Sequence, residues 1–332
     1  MRRPVVFIPE YIDPAGMDLL RAHCTCIAPW LDGTPGMDAP FGHPYRAPLY
    51  EADAVIIRVF RVTEADLRLT NKLRIVVKHG VGLDNVDIDA ATANGVAVAY
   101  TPTGNTNAVA EHALGLMLAL MRRTGEAEAA LRADRFNSRN DFQGDELDGK
   151  TLGVIGLGRI GSSVAKKAAY GFNMGVLAFD PYVPATRYDG PARLVARLDD
   201  LLESADIVTL HTPLTPETQH ILNGRTLAQV PRGCRIINTS RGGVIDQKAL
   251  VALLKTGHLA GAALDVFEEE PLNPDDPLCS APNVVLTPHI AGLTQASMRR
   301  TAQLAAQAVL EALQGRVPEH LVNDVTVQPL SP

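Results

Sequence analysis

The sequence predicts an α/β protein with two domains, each built on a parallel β-sheet. Three observations carry this prediction. The chain has 332 residues, the length of about two domains. Its short β-type segments are apolar at every position, as in parallel strands that are covered on both faces, and helical segments separate them. A glycine-rich turn at residues 156–161 joins one such segment to a helix, and a whole domain's length of chain precedes that turn.

The composition excludes several classes of protein. Hydrophobic residues make up 46% of the chain and charged residues 20%, which excludes a disordered protein. The formal net charge is −6 and the sequence contains no basic stripe, so nucleic acid is not expected as a partner. No cluster of residues has the spacing of metal ligands, and no metal is expected.

Cysteine content and apolar runs predict a cytoplasmic protein. Four cysteines are too few for a disulfide scaffold in a chain of this length. The apolar run at residues 5–8 is too short for a signal peptide. No run approaches the roughly 18–20 residues of a membrane span, so no membrane association is expected.

The predicted strands form two series. The first comprises residues 5–8, 25–28, 54–59, 75–78 and 96–100, and the second comprises 151–155, 176–179, 207–211, 235–238, 261–267 and 284–287. Helices are predicted at residues 13–23, 87–94 and 294–314, and a long helix that is apolar nearly all round follows Asn105. The segment Pro29–Pro48 is rich in proline and glycine and is predicted to be a long surface loop.

The position of the glycine turn predicts that one domain is inserted into the other. Residues 1–101 and 293–332 are assigned to the first domain and residues 102–292 to the second. Segments 101–105 and 291–294 are then the hinge candidates, and a cleft between two α/β domains is the natural place for a ligand. The apolar helix after Asn105 is covered on its second side by the other domain or by a second subunit.

The glycine turn has the features of a dinucleotide-binding site. It reads Gly156-Leu-Gly158-Arg159-Ile160-Gly161, follows a strand and opens a helix, so its backbone can approach a pyrophosphate at the helix N-terminus. Asp180 ends the next strand, where it would accept hydrogen bonds from an adenosine ribose and repel a 2′-phosphate. The sequence therefore predicts NAD as the cofactor, in preference to NADP.

Three of the last predicted strands of the second domain are each followed by a segment that contains charged or titratable residues. Arg241 follows one strand, acids at positions 265 and 268–270 follow another, and His289 follows a third. Ligands of open α/β sheets bind beyond the carboxyl ends of strands, so these groups are expected to converge. A guanidinium can hold a carboxylate and an imidazole can exchange a hydroxyl proton near neutral pH. This set suits hydride transfer at a small anionic 2-hydroxy or 2-keto acid.

The sequence resembles the D-isomer-specific 2-hydroxyacid dehydrogenases over nearly its whole length. The matching segments are VKHGVGLDNVD (77–87), NTNAVAEHAL (105–114), GDELDGKTLGVIGLGRIG (144–161), NTSRGGVID (238–246), DVFEEEP (265–271) and TPHIAG (287–292). The resemblance implies a flavodoxin-like substrate domain with an inserted Rossmann domain that binds NAD. It also implies a homodimer that is formed through the helix after Asn105.

The resemblance further implies roles for individual residues. The catalytic set is Arg241, Glu270 and His289. Cofactor contacts are implied for the glycine turn with Asp180 and for Pro213, Thr218, Thr239, Asp265 and Gly292, with Asp265 meeting the nicotinamide amide. Substrate contacts are implied for Arg58, Lys78, Asn105 and the backbone amides of Val81 and Gly82.

Within the family the chain is most similar to the 3-phosphoglycerate dehydrogenases. Lys78 stands where that subfamily tends to carry an arginine, and Arg58 matches one of its arginines, so the pair would suit a phosphate. Two features depart from the subfamily: residues 58–63 are one residue shorter, and the Pro29–Pro48 segment is longer. Hydroxypyruvate or glyoxylate reductase therefore stays an alternative. An NAD-sensing binding protein, like the family's transcriptional corepressors, is the non-enzymatic alternative.

Overall fold

The computed structural model describes residues 2–32 and 46–327. Contacts divide these residues into two compact units. Unit 1 holds the described residues up to Asn105 and from Gly292 onward, and unit 2 holds Thr106–Ala291. The centre of the predicted Pro29–Pro48 loop lies outside the described residues. Its two ends are ordered elements, a 3-10 turn at Pro29–Asp32 and a short helix that begins at Ala47, so the prediction of loop structure was wrong there.

Helices and strands alternate along both units. The strands are β1 (Val5–Phe7), β2 (Thr25–Ile27), β3 (Ala54–Ile57), β4 (Ile75–Lys78), β5 (Ala97–Tyr100), β6 (Thr151–Ile155), β7 (Gly175–Phe179), β8 (Arg193–Leu194), β9 (Ile207–Leu210), β10 (Arg235–Asn238), β11 (Gly261–Leu264) and β12 (Val284–Leu286). The helices are α1 (Pro14–His23), α2 (Ala47–Glu51), α3 (Glu64–Leu69), α4 (Ile88–Ala93), α5 (Thr106–Met121), α6 (Thr124–Arg132), α7 (Arg159–Phe172), α8 (Leu198–Leu202), α9 (Gly224–Leu227), α10 (Gln247–Lys255) and α11 (Gln295–Leu313).

Unit 1 is a five-stranded sheet of parallel strands in the order β2-β1-β3-β4-β5. This is the flavodoxin-like order of a doubly wound fold. Strands β3 and β4 are buried along almost their whole length, because apolar side chains cover both faces of the sheet. Helix α11 packs against α1 on one face, where a side chain at Gly16 would collide with the backbone of Ala302.

Unit 2 is a seven-stranded parallel sheet in the order β12-β11-β10-β9-β6-β7-β8. Apart from the added edge strand β12, this is the order of the Rossmann fold, and its direction reverses between β6 and β9. The glycine turn follows β6 and therefore lies at this switch point. The predicted α/β class with parallel sheets is confirmed.

Helix ends follow local signals that the sequence contains. Asp13 and Thr294 cap α1 and α11 by accepting hydrogen bonds from Ala15 N and Ser297 N. Helix α3 begins with a capping box between Thr63 and Asp66, a signal that could have predicted this helix. In unit 2, α5 packs against α7 and strands β10–β12, and its buried residues lie on more than one face. No helix in the described ranges is long and apolar enough to span a membrane.

Candidate functional site

The glycine turn after β6 contains two glycines that the protein's own backbone requires. Gly156 has φ = +89°, and a Cβ there would lie 2.7 Å from the carbonyl oxygen of His211. A Cβ at Gly161 would overlap the carbonyl oxygen of Gly156, so α7 can approach the turn only without a side chain there. Gly158 differs, because it has φ = −67° and nothing within 4 Å of a Cβ. The protein itself does not need a glycine at position 158.

The N-terminus of α7 is suited to an anion. Gly158 is its N-cap and offers no side chain to the free N–H groups, and the first turn contains no acidic residue. Of the two other predicted residues here, Arg159 is exposed, whereas Ile160 is half-buried against the unit 2 core. An open glycine beside an uncapped helix N-terminus fits the diphosphate of a dinucleotide.

Polar atoms without partners lie at the carboxyl ends of β9 and β10. His211 Nδ1, Thr212 Oγ1 and Thr239 Oγ1 are buried and have no hydrogen-bond partner among the described residues. Burial lowers the pKa of His211 to about 3, so this imidazole is neutral. Buried polar groups normally have partners, and a ligand at this edge could supply them. Thr239 was among the predicted cofactor contacts, and the other two were not.

Asp180 is fixed to the glycine turn. Its Oδ2 accepts a hydrogen bond from Leu157 N at 2.8 Å, and its Oδ1 accepts one from Tyr182 N at 2.9 Å. The carboxylate is half-buried directly beyond β7. Its contact with a ribose stays a prediction, for which an acid at the end of the strand after the glycine turn is the expected residue.

The loop after β9 is closed by Thr218. The Thr218 hydroxyl donates to Pro213 O at 2.6 Å and accepts from Thr215 N at 2.8 Å. Leu214 in this loop lies against Gly243, where a Cβ would be 3.2 Å from a methyl group of Leu214. Pro213 and Thr218 thus form one turn that packs beside the turn carrying Arg241.

The structure brings the three predicted catalytic residues to one edge of unit 2. Arg241 follows β10, Glu270 lies in the loop after β11 and His289 follows β12. His289 Nδ1 and Glu270 Oε2 are 2.8 Å apart. A side chain at Gly242 would overlap the backbone of Phe267, so this glycine allows the turn of Arg241 to approach the loop of Glu270.

Hydrogen bonds keep Glu270 ionised. Burial by itself would raise the pKa of this carboxyl group. The hydrogen bonds from His289 and from Phe267 N, together with the charge of Arg241, outweigh burial and lower the pKa below its ordinary value. An ionised carboxylate can only accept, so His289 Nδ1 carries the hydrogen of the pair. Nε2 is then the nitrogen that can exchange a proton, and the His289 side chain is 49% exposed.

His289 has a strained backbone that Asp265 helps to hold. Its φ is +53°, a left-handed conformation that costs a non-glycine residue about 1–2 kcal/mol. His289 N donates to the carbonyl oxygens of Asp265 and Thr287, at 2.9 and 3.0 Å. The Asp265 carboxylate accepts from Ile290 N at 2.9 Å and from Ala291 N at 2.8 Å. These bonds fix the loop on both sides of the imidazole.

Asp265 faces the His289 loop in this structure. The residue is 0% exposed, and both carboxylate oxygens accept hydrogen bonds. Burial would raise its pKa, but the hydrogen bonds from His112, Thr287 and the two loop amides lower it. The contact of Asp265 with a nicotinamide amide stays a prediction.

Asn238 holds the turn of Arg241, and the sequence analysis did not single it out. It ends β10, is 1% exposed, and its Nδ2 donates to Arg241 O at 2.8 Å. Its Oδ1 accepts from Ser240 N at 2.9 Å and from Ser240 Oγ at 2.8 Å. Asn238 therefore sets the turn from which the Arg241 side chain leaves. A buried polar residue at the end of an apolar strand was the available signal.

Arg58 and Lys78, the two predicted phosphate-binding cations, are engaged within unit 1. Lys78 Nζ donates to Asn85 Oδ1 at 2.7 Å and to Arg58 O, and Arg58 Nη1 donates to Tyr11 O at 3.2 Å. Glu10, which the sequence analysis did not single out, is 5% exposed. Its carboxylate accepts hydrogen bonds from the backbone N atoms of residues 58, 59 and 60 at 2.6, 2.8 and 3.0 Å. These contacts hold the 58–60 loop in place.

The remaining predicted contacts also lie in unit 1. Val81 is 37% exposed and Gly82 is half-buried, three and four residues after β4 ends at Lys78. A Cβ at Gly292 would be 3.3 Å from Asn105 Nδ2, so these two predicted residues are neighbours. Asn105 Oδ1 is buried with no hydrogen-bond partner in the described part of the chain. Within those same ranges no group of His, Cys, Asp and Glu residues could hold a metal ion.

Comparisons with known proteins identify the family to which the chain belongs. Residues 114–291 match the family model "D-isomer specific 2-hydroxyacid dehydrogenase, NAD binding domain", which confirms the predicted NAD-binding domain. The D-3-phosphoglycerate dehydrogenase of Mycobacterium bovis is 40% identical over 324 residues, covering 97% of this chain but 59% of that protein. The glyoxylate reductase of Thermofilum pendens is 38% identical, covering 99% of this chain and 98% of that protein. The chain thus spans little more than half of the first relative and nearly all of the second.

A solved structure shows the same architecture. The NADPH-dependent glyoxylate/hydroxypyruvate reductase of Sinorhizobium meliloti, in complex with NADP and malonate, matches with a TM-score of 0.84 and 27% identity. The match covers 100% of both chains.

Proposed function

Because the chain belongs to the D-isomer-specific 2-hydroxyacid dehydrogenase family, we propose that it transfers hydride between a nicotinamide dinucleotide and a 2-hydroxy or 2-keto acid. One observation carries the proposal. His289, Glu270 and Arg241 follow successive strands at one edge of the NAD-binding domain, and His289 Nδ1 lies 2.8 Å from a Glu270 oxygen that stays ionised.

Each member of the set has a distinct role in this proposal. The bound dinucleotide supplies the group that accepts or donates hydride at carbon 2 of the substrate. Arg241 binds the substrate carboxylate through paired N–H groups. His289 Nε2 takes the hydroxyl proton when the substrate is oxidised and returns it to the oxygen when the keto acid is reduced. Glu270 holds the ring through Nδ1 and stabilises the charged imidazolium.

A 3-phospho acid is the first substrate candidate, and a small unphosphorylated keto acid is the second. The first is supported by the identity with D-3-phosphoglycerate dehydrogenases over most of this chain. The second is supported by the full-length match to a glyoxylate reductase. It is also supported by the contacts of Lys78 and Arg58, because both cations already bind backbone oxygens in unit 1.

The test measures kcat/KM for NADH oxidation with 3-phosphohydroxypyruvate, hydroxypyruvate and glyoxylate. The highest value for the phosphorylated acid supports the first candidate, and the highest value for either other acid supports the second. No oxidation of NADH with any 2-keto acid would contradict the enzymatic proposal. Tight NADH binding without turnover would instead favour the NAD-sensing alternative.

A substitution at Lys78 identifies its role. If Lys78 binds phosphate, Lys78→Met lowers kcat/KM only for the phosphorylated acid. If it only supports the 58–60 loop, all three acids are affected alike. Lys72→Met is the matched control, since Lys72 forms an exposed ion pair with Glu51.

We also propose a homodimer in the cytoplasm. Leu118 on α5, Leu131 on α6 and Phe136 after α6 support the dimer, because these large apolar side chains are 36%, 59% and 62% exposed in the single chain. Four cysteines without disulfide partners support a reducing compartment. Light scattering coupled to size-exclusion chromatography should give twice the chain mass of 35.6 kDa, and a monomer mass would contradict the dimer.

A further inference from the structure

A chain of hydrogen bonds connects helix α5 to the loop that carries His289. His112 lies in α5 and its Nε2 is 3.1 Å from Thr287 Oγ1. Thr287 Oγ1 is 2.6 Å from Asp265 Oδ1, and the Asp265 side chain is completely buried. All three residues belong to unit 2, and none of them touches Glu270 through a hydrogen bond.

The chemistry of the three groups fixes the direction of these bonds. The Asp265 carboxylate is ionised and can only accept, so the single hydroxyl hydrogen of Thr287 points to Asp265. Thr287 Oγ1 is then an acceptor toward His112. The Nε2 atom of His112 must therefore carry a hydrogen, and it lies only 3.4 Å from Asp265 Oδ1 as well.

At the other end of this series of hydrogen bonds, Asp265 fixes the backbone next to the His289 imidazole. Asp265 Oδ1 accepts from Ile290 N at 2.9 Å, and Oδ2 accepts from Ala291 N at 2.8 Å. These amides directly follow His289, whose φ of +53° is unfavourable for a side-chain-bearing residue. Without the Thr287 hydroxyl, and without the His112 N–H that orients this hydroxyl, the Asp265 carboxylate would keep only the two amides as donors, and its position beside them would be less fixed.

We infer that His112 and Thr287 are positioning residues for His289, acting through the carboxylate of Asp265. This inference rests on the proposed function, because it assigns His289 the proton transfer. It predicts that the pair affects the orientation of the imidazole and leaves the cofactor-binding turn untouched. A displacement of a reacting group by about 1 Å can lower a rate by roughly 100-fold, so the effect should be visible in kcat.

The activity test compares four variants with the wild type. His112→Ala and Thr287→Val should lower kcat by about 10- to 100-fold while the Kd for NADH stays within about twofold. His112→Gln places an amide N–H close to the position of Nε2 and should restore most of kcat. Glu111→Gln is the matched control on α5, because its exposed contact with Lys167 at 3.5 Å is remote from the chain of hydrogen bonds.

A structural readout tests the inference without any turnover. Hydrogen exchange of the Ile290 and Ala291 amides, followed by NMR, should quicken in His112→Ala and Thr287→Val and stay slow in His112→Gln and Glu111→Gln. Unchanged exchange together with unchanged kcat would overturn the inference. An equal loss of kcat in His112→Ala and His112→Gln would overturn it too, because the N–H donor would then be irrelevant. If the wild type oxidises no NADH, the proposed function fails while the exchange result still decides the positioning.

Discussion

Gly158→Ala should separate cofactor binding from stability. A Cβ at this position has nothing within 4 Å, and the backbone angles of φ −67° and ψ −162° are accessible to alanine. Alanine is a poorer N-cap than glycine, so the free energy of unfolding should fall by only about 0.5–1 kcal/mol. The same methyl group would occupy the space through which the turn approaches a diphosphate.

The expected loss of affinity follows from that overlap. Forcing one additional methyl group into a packed contact costs about 1–3 kcal/mol. This corresponds to a Kd for NADH that is roughly 5- to 150-fold weaker. Fluorescence titration with NADH gives the Kd, and urea unfolding followed by circular dichroism gives the stability of the same sample.

A glycine in the same helix provides the control. Gly171 in α7 is exposed and also has nothing within 4 Å of a Cβ. Gly171→Ala should therefore stabilise the helix by about 0.5–1 kcal/mol and leave the Kd unchanged. If Gly158→Ala binds NADH as tightly as the wild type, the turn does not approach the cofactor and the assignment of this site is wrong.

Three further predictions concern single side chains. His289→Ala should lower kcat by about 10²- to 10⁴-fold with little change in the Kd for NADH, and an equal loss of both would indicate a purely structural role. Asp180→Ala should improve kcat/KM with NADPH relative to NADH by about tenfold or more, because a carboxylate repels a 2′-phosphate; a wild type that already uses both equally would contradict this. Burial, together with the charge of Arg58, lowers the pKa of His79 from 6.5 to about 3. The unfolded chain therefore binds a proton at His79 that the folded chain does not bind, so His79 by itself should lower the free energy of unfolding by about 1.4 kcal/mol between pH 7.5 and 5.5. Urea unfolding should show a weaker pH dependence in His79→Gln and an unchanged one in His23→Gln, which alters an exposed histidine of α1.

Local sequence patterns were sufficient to predict most of the fold. Strands β4, β6 and β10 begin and end where the apolar runs predict, because burial on both faces leaves little choice of structure. The glycine turn was equally predictable, since Gly156 and Gly161 meet the neighbouring backbone within one βα unit. The edge strand β8 was missed because it has only two residues, of which one is exposed.

The ends of some strands were predicted less well, because they depend on contacts with residues that are distant in the sequence. The apolar pattern extends β3 to residue 59, but the strand ends at Ile57. The backbone N–H groups of residues 58–60 donate instead to the carboxylate of Glu10, which is 48–50 residues away in the chain. Strand β11 also ends earlier than predicted, at Leu264, and the side chain of the next residue, Asp265, accepts hydrogen bonds from the His289 loop.

The sequence by itself determined the α/β class and predicted the glycine turn and, through the family resemblance, the three residues to which the proposed chemistry is assigned. Periodicity and short motifs are local properties, and a single chain displays them directly. Only the tertiary structure decided which oxygen fixes His289, which hydrogen bonds hold its strained backbone and how Lys78 and Arg58 are engaged. These are contacts between residues far apart in the chain, and packing of the sheets brings them within hydrogen-bonding distance.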